Sequence, residues 1–172
     1  MMLARDRKLN VEIVRDTPVK LYPLMTFFKG LENVEALRTL FGDRTEKVLK
    51  GMKVEFYSSR WGYMGVNDKD GHILISSHHM EHSPLRTLYL DIIHELYHIK
   101  QHMEGKKLFL DGFDYFDSPI EIDAYRFTVK EARRIGMTDK EIVDYLEVPW
   151  ADRNQLMKFV KKLGLNPTPH KE

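Results

Sequence analysis

Hydrophobic and polar positions change their period several times along the chain. NVEIVR, residues 10–15, alternates as a half-buried strand does. From 17 to 51 the spacing turns helical, and Gly30, Gly42 and Gly51 interrupt it, which predicts two or three short helices. KVEFYS (53–58), WGYMGV (61–66) and HILISS (72–77) are short β-rich runs, and NDKDG between the last two reads as a hairpin turn. They predict a three-stranded antiparallel meander. Leu85, Leu88, Ile92, Leu96, Ile99 and Met103 then fall on one helical stripe. Ser83-Pro84 ahead of them supplies a cap and a proline for the first helical position, so the helix should run to about Gly105. A loop with Asp111, Asp114 and Asp117 leads to a second start signal, Ser118-Pro119, and a helix reaching Gly136. Two further helices are expected near 138–147 and 150–163, before a polar tail, NPTPHKE. The pattern is that of an α+β protein. It divides into a first domain over 1–136 with an N-terminal helical extension, a C-terminal helical subdomain over 137–165, and a tail over 166–172.

Composition narrows the partners. The chain has 172 residues, 42% hydrophobic and 31% charged, enough for one compact domain with a small appendage. Lys and Arg total 27 against 26 Asp and Glu, so no overall charge draws the chain to nucleic acid or an anionic membrane, and neither is expected as a partner. The N-terminal residues, MMLARDRKLNVEIVRD, lack the apolar core of a signal peptide, and no stretch approaches the roughly 18 apolar residues of a membrane span. A cytoplasmic location is expected. The chain has no cysteine, which excludes disulfides and thiolate metal sites. Any metal here must sit on His and carboxylate.

That restriction matters because of HELYHIKQH, residues 94–102. His94 and His98 are four apart, so on a helix they share one face about 6 Å apart along the axis, a spacing that suits two imidazoles on one zinc ion. Glu95 lies directly beside them. In an H-E-x-x-H site this glutamate is not a ligand but the general base that takes a proton from the metal-activated water and later passes it to the leaving amine. With 8 histidines in 172 residues, a shuffled chain would show the pattern only about 0.03 times. Thr87, Asp91, His94, His98 and His102 form a polar stripe opposite the apolar one, which by itself could be solvent-facing surface.

A third ligand decides between those readings. His102 lies roughly 12 Å from His94 along the axis, too far for one ion on a straight helix. Glu121, in SPIEIDAYRFTVKEA, is the best candidate. Ser118 and Glu121 also form an S-x-x-E capping box, which alone would account for the glutamate. Against that, Ala124, Thr128 and Ala132 put small side chains at four-residue spacing near the Glu121 face, as close approach of another helix requires. Asp123 and the loop aspartates are the remaining candidates.

HELYHIKQH resembles the H-E-L-x-H-x-x-x-H segment of the ImmA/IrrE-type metallopeptidases, with Tyr97 where that family carries a small residue, and EIDAYRF resembles their downstream E-x-x-A-x-x-F helix. The similarity covers about residues 53–136. It implies a zincin-like fold, a small three-stranded sheet packed on the H-E-x-x-H helix and the third-ligand helix, with extra helices at both ends. It also implies a gluzincin-like zinc endopeptidase with one ion on His94, His98 and Glu121, of narrow specificity towards a regulatory protein. HILISS, 72–77, would then be the edge strand that holds an extended protein or peptide substrate by β-augmentation. Tyr125, one turn beyond Glu121, is the candidate oxyanion helper, with His78 or His79 as alternatives.

The C-terminal GMTDKEIVDYLEVPWADRNQLMKFVKKLGL has the cadence of a helix-turn-helix. It supports an alternative function, a DNA-binding transcriptional regulator with a structural metal site. Charge argues against it, since the six basic and six acidic residues of 137–172 cancel. Ile142, Leu146, Leu156, Phe159 and Leu163 are most simply the buried face of an amphipathic helical pair.

Overall fold

The protein is described by a computed structural model covering residues 3–5, 8–15 and 21–167. Two compact units divide the chain, residues 1–108 and 109–172.

The first unit is α+β. Strands β1 (Leu3–Arg5), β2 (Glu12–Val14) and β4 (Phe28–Lys29) make an antiparallel sheet in the order β1-β2-β4, in which Ile13 faces Ala4 on one side and Phe28 on the other. NVEIVR thus forms the strand its alternation predicts. The helical reading of 17–51 holds only from residue 35, where α1 (Glu35–Phe41) and α2 (Thr45–Gly51) begin; residues 16–20 lie outside the described residues. Between 21 and 33 the chain forms β3 (Leu21–Pro23), β4 and two 3-10 turns, 24–26 and 31–33. The misreading has a physical source. Leu24, Phe27, Phe28 and Leu31 are all buried at a helix-like spacing, but tight turns deliver them to the core. Gly30 breaks any helix there, with φ at +94° and a position where a Cβ would stand 2.9 Å from the Asn10 carbonyl oxygen.

A second sheet has four strands in the order β3-β5-β7-β6, with β5 (Lys53–Tyr57), β6 (Met64–Val66) and β7 (Ile73–Ser76). β6 and β7 form the expected antiparallel hairpin, but β7 pairs with β5 in parallel, Phe56 opposite Ile75. The expected three-stranded meander is therefore a mixed four-stranded sheet. HILISS is its interior strand and not an edge, which corrects the substrate-binding role given to 72–77. The run of buried residues Ile73, Ile75 and Ser76 is what an interior strand needs on both faces. Among the described residues the outer strands of this sheet are β6 and β3.

Immediately after β7 comes a short helix that the sequence did not suggest, α3 (Ser77–His82). Ser76 caps its start, and the Arg15 guanidinium closes its end by donating to the carbonyls of Glu81 (2.9 Å) and Ser83 (2.7 Å). Next is α4 (Leu85–Met103), 19 residues long, packed on β6 and α1. Leu88, Ile92, Leu96 and Ile99 are buried as the apolar stripe predicts, but so are Tyr89, Leu90, Ile93, His94, Glu95, His98 and Gln101. The helix is enclosed nearly all round, so its polar stripe is not solvent-facing surface.

The second unit is helical: a 3-10 turn at 115–117, then α5 (Pro119–Arg134), α6 (Asp139–Leu146) and α7 (Arg153–Lys162). Capping boxes at Thr138/Glu141 and Asp152/Gln155 start the last two. Phe159 of α7 stacks on Phe116 at 4.4 Å and meets Tyr125 of α5 edge-on at 5.2 Å, and Ile142, Leu146 and Leu156 are buried with it. No helix among the described residues is long and apolar enough to cross a membrane.

Candidate metal centre

His94 and His98 project one turn apart from the middle of α4, at 5% and 6% exposure. Their Nε2 atoms are 3.0 Å apart and their rings nearly perpendicular, at 87°. Gln101, itself 1% exposed, holds the second ring, its Oε1 standing 2.7 Å from His98 Nδ1. An amide oxygen only accepts, so the His98 proton is on Nδ1 and the Nε2 lone pair is left for a metal. Sequence reasoning missed this role of Gln101. Its signal was a polar residue three positions after a histidine on a helix whose opposite face is apolar.

Glu121 lies in the first turn of α5. The capping box that would have claimed its carboxylate does not form, because Ser118 makes no side-chain cap bond and Pro119 opens the helix. One ligand atom from each of His94, His98 and Glu121 lies within 4.8 Å of the others, and this group could hold a metal ion. Two imidazoles and one carboxylate suit a first-row divalent ion such as zinc. Among the described residues no other group of three qualifies. Asp123 pairs with Arg126 at 3.6 Å, Asp117 pairs with Lys162, and Asp111 and Asp114 are exposed. Ala124, Thr128 and Ala132 are fully buried.

Glu95, beside the first histidine, is 8% exposed. His102 is engaged away from the centre, where its Nε2 donates to the Asp68 carbonyl oxygen at 3.1 Å and ties the end of α4 to the β6–β7 turn. That turn is further braced by His72, whose ring lies between Asp70 (2.6 Å) and Glu55 (2.9 Å). The His72 backbone N–H, and then its ring, hold the Asp70 carboxyl below its ordinary range.

The suggested oxyanion helpers are engaged elsewhere. The Tyr125 hydroxyl is 2.8 Å from that of Tyr115, and His78 stacks on His82 at 4.1 Å. Both ring nitrogens of His79 are taken, by Ser83 and Asp91. No protein-family model, no curated protein and no solved structure matches this chain, so the function has to be read from the residues themselves.

Proposed function

We propose that the protein is a zinc-dependent endopeptidase of the ImmA/IrrE type, acting with narrow specificity on a regulatory protein in the cytoplasm. The convergence of His94, His98 and Glu121 beside the buried Glu95 carries this reading. A structural metal site has no use for a general base next to its ligands. Zinc held there would supply the Lewis acidity that makes water a nucleophile and the scissile carbonyl an electrophile near neutral pH.

In this reading His94, His98 and Glu121 hold the ion, and Gln101 keeps the His98 ring in the tautomer that binds it. Glu95 accepts a proton at its carboxylate from the attacking water and returns it to the leaving amine. An extended substrate pairs along the outer edge of β6, which packs on the ligand-bearing helix, so that backbone bonds supply affinity and side-chain contacts select the sequence. Tyr125 serves as oxyanion donor only after its hydroxyl leaves Tyr115.

The test incubates wild-type and Glu95→Gln protein with native cell extract and compares new peptide termini by mass spectrometry. Termini are expected with the wild type alone, while both proteins bind one zinc per chain. Termini produced equally by both would trace to a contaminant, and none from zinc-loaded wild type would leave the protein without peptidase activity.

A further inference from the structure

Ser83 stands between α3 and α4, where a serine before Pro84 ought to cap the longer helix. It does not, because the N-cap position of α4 falls one residue later, on Pro84. The Ser83 hydroxyl lies 2.7 Å from His79 Nδ1 instead. The other ring nitrogen, Nε2, is 2.7 Å from Asp91 Oδ2 on α4. An ionised carboxylate only accepts, so the imidazole proton sits on Nε2. The lone pair is then on Nδ1, and Ser83 must be the donor. The result is a serine hydroxyl aimed at a base whose tautomer and orientation a carboxylate fixes, the arrangement that activates a nucleophile. Serine meets Nδ1 and aspartate meets Nε2, which exchanges the usual ring positions without changing any group's role.

The surroundings hold this geometry. His79 is 8% exposed, the Tyr63 ring packs on it at 5.4 Å, and Arg15 clamps the Ser83 carbonyl at 2.7 Å. Ser83 is itself only half-buried, unlike its histidine partner. The backbone N–H groups of Leu85 and Thr87, in the first turn of α4 just beyond Ser83, have no acceptor among the described residues. Such groups point out of a helix N-terminus and suit a developing oxyanion.

We propose that Ser83, His79 and Asp91 form a second, metal-independent nucleophilic site that is acylated on Ser83 by esters. Ser83 Oγ bonds to the acyl carbon as its proton passes to His79 Nδ1, with the imidazolium stabilised by Asp91. The ester C–O bond then breaks, and the alcohol leaves with the proton from Nδ1. Water releases the acid by the reverse sequence: its proton goes to Nδ1, its oxygen bonds to the acyl carbon, and Ser83 Oγ departs and regains a proton.

The full-length protein, as purified, is treated with a fluorophosphonate probe, and the adduct is located by peptide mass mapping. This readout is independent of the metal reaction, because it registers a covalent bond at one serine. One adduct per chain at Ser83 is expected, absent in Ser83→Ala. Asp91→Asn keeps the shape but places the proton on Nδ1, so the hydroxyl loses its acceptor, and labelling should slow by at least about a hundredfold. His79→Gln should do the same; should it fail to fold, the nearly isosteric Asp91→Asn, checked by circular dichroism, still decides. Labelling of Ser83 no faster than in the urea-unfolded chain, or an undiminished rate in Asp91→Asn, would overturn the proposal and leave the three residues a structural tie between α3 and α4.

Discussion

At the scale of single residues, the candidate centre depends on side chains whose alternatives have been removed one at a time. Glu121 could have been a helix cap, but the cap bond is missing and Pro119 starts α5 without it. Asp123 and Asp117 are drawn to Arg126 and Lys162. His102 is absorbed by the Asp68 carbonyl. Gln101 makes the sharpest residue-level case, because its amide oxygen fixes the proton of His98 and does so at 1% exposure. Replacing it with Leu keeps the volume and removes the acceptor. The His98 ring is then free to place its proton on either nitrogen, and zinc affinity is expected to fall about 10- to 100-fold with the ligands untouched. Competition with a chromophoric zinc chelator measures this directly, beside Glu121→Ala, which should cost more because it deletes a ligand. Equal affinities for wild type and Gln101→Leu would mean that the amide plays no part in the centre.

Elements show where sequence patterns are informative and where they fail. The helices α4 and α5 are legible because each joins a start signal to an apolar stripe several turns long, and H-E-x-x-H needs only a helix to bring its histidines together. Glu121 stands out in the sequence too, although its competing role as a cap is decided only by the structure, in which the Ser118 side chain makes no cap bond. β3, β4 and α3 escape, being elements of two to six residues whose apolar positions mimic other periods. The parallel β5–β7 pairing escapes for another reason: strand order depends on the link across Ser58–Tyr63, and only space reveals that Gly62 fits where a Cβ would strike Tyr57 and Ser76 at 2.5–2.8 Å. In the second unit, Asp139 at the head of α6 accepts from the Asn166 backbone N–H (2.7 Å) and from Arg133 of α5. These partners, the backbone bond first, hold its pKa below the ordinary 3.8. A carboxyl depressed on folding contributes stability above its unfolded pKa and loses it as pH falls through the lower folded value. Asp139→Asn should therefore melt below wild type at neutral pH, with the gap closing as the pH is taken below about 4. Melting curves from pH 7 to 3 check this, and a gap independent of pH would mean that the bonds from Asn166 and Arg133 do not favour the ionised carboxyl.

On the scale of the whole molecule, charge and packing bear on the choice between peptidase and DNA-binding regulator. Net charge is +1, so there is no general field to gather phosphates. The helix that would enter a groove, α7, carries Arg153, Lys158, Lys161 and Lys162, but Lys162 is bound to Asp117, and α6 brings Asp139, Glu141 and Asp144. The link between the two helices spans the six residues Glu147–Asp152, longer than the three or four of a helix-turn-helix. Phe159 and Leu156 are spent on the core. With few phosphates neutralised, binding to duplex DNA at moderate salt is expected to be no tighter than about micromolar, the non-specific range, with a shallow dependence on salt concentration. Fluorescence anisotropy with labelled duplex across a salt series measures both quantities. Several rounds of selection from random-sequence duplexes extend the test to specific sites. A consensus sequence bound at nanomolar strength with a steep salt slope would favour regulation of transcription over the proposed peptide hydrolysis, with any metal at the centre in a structural role.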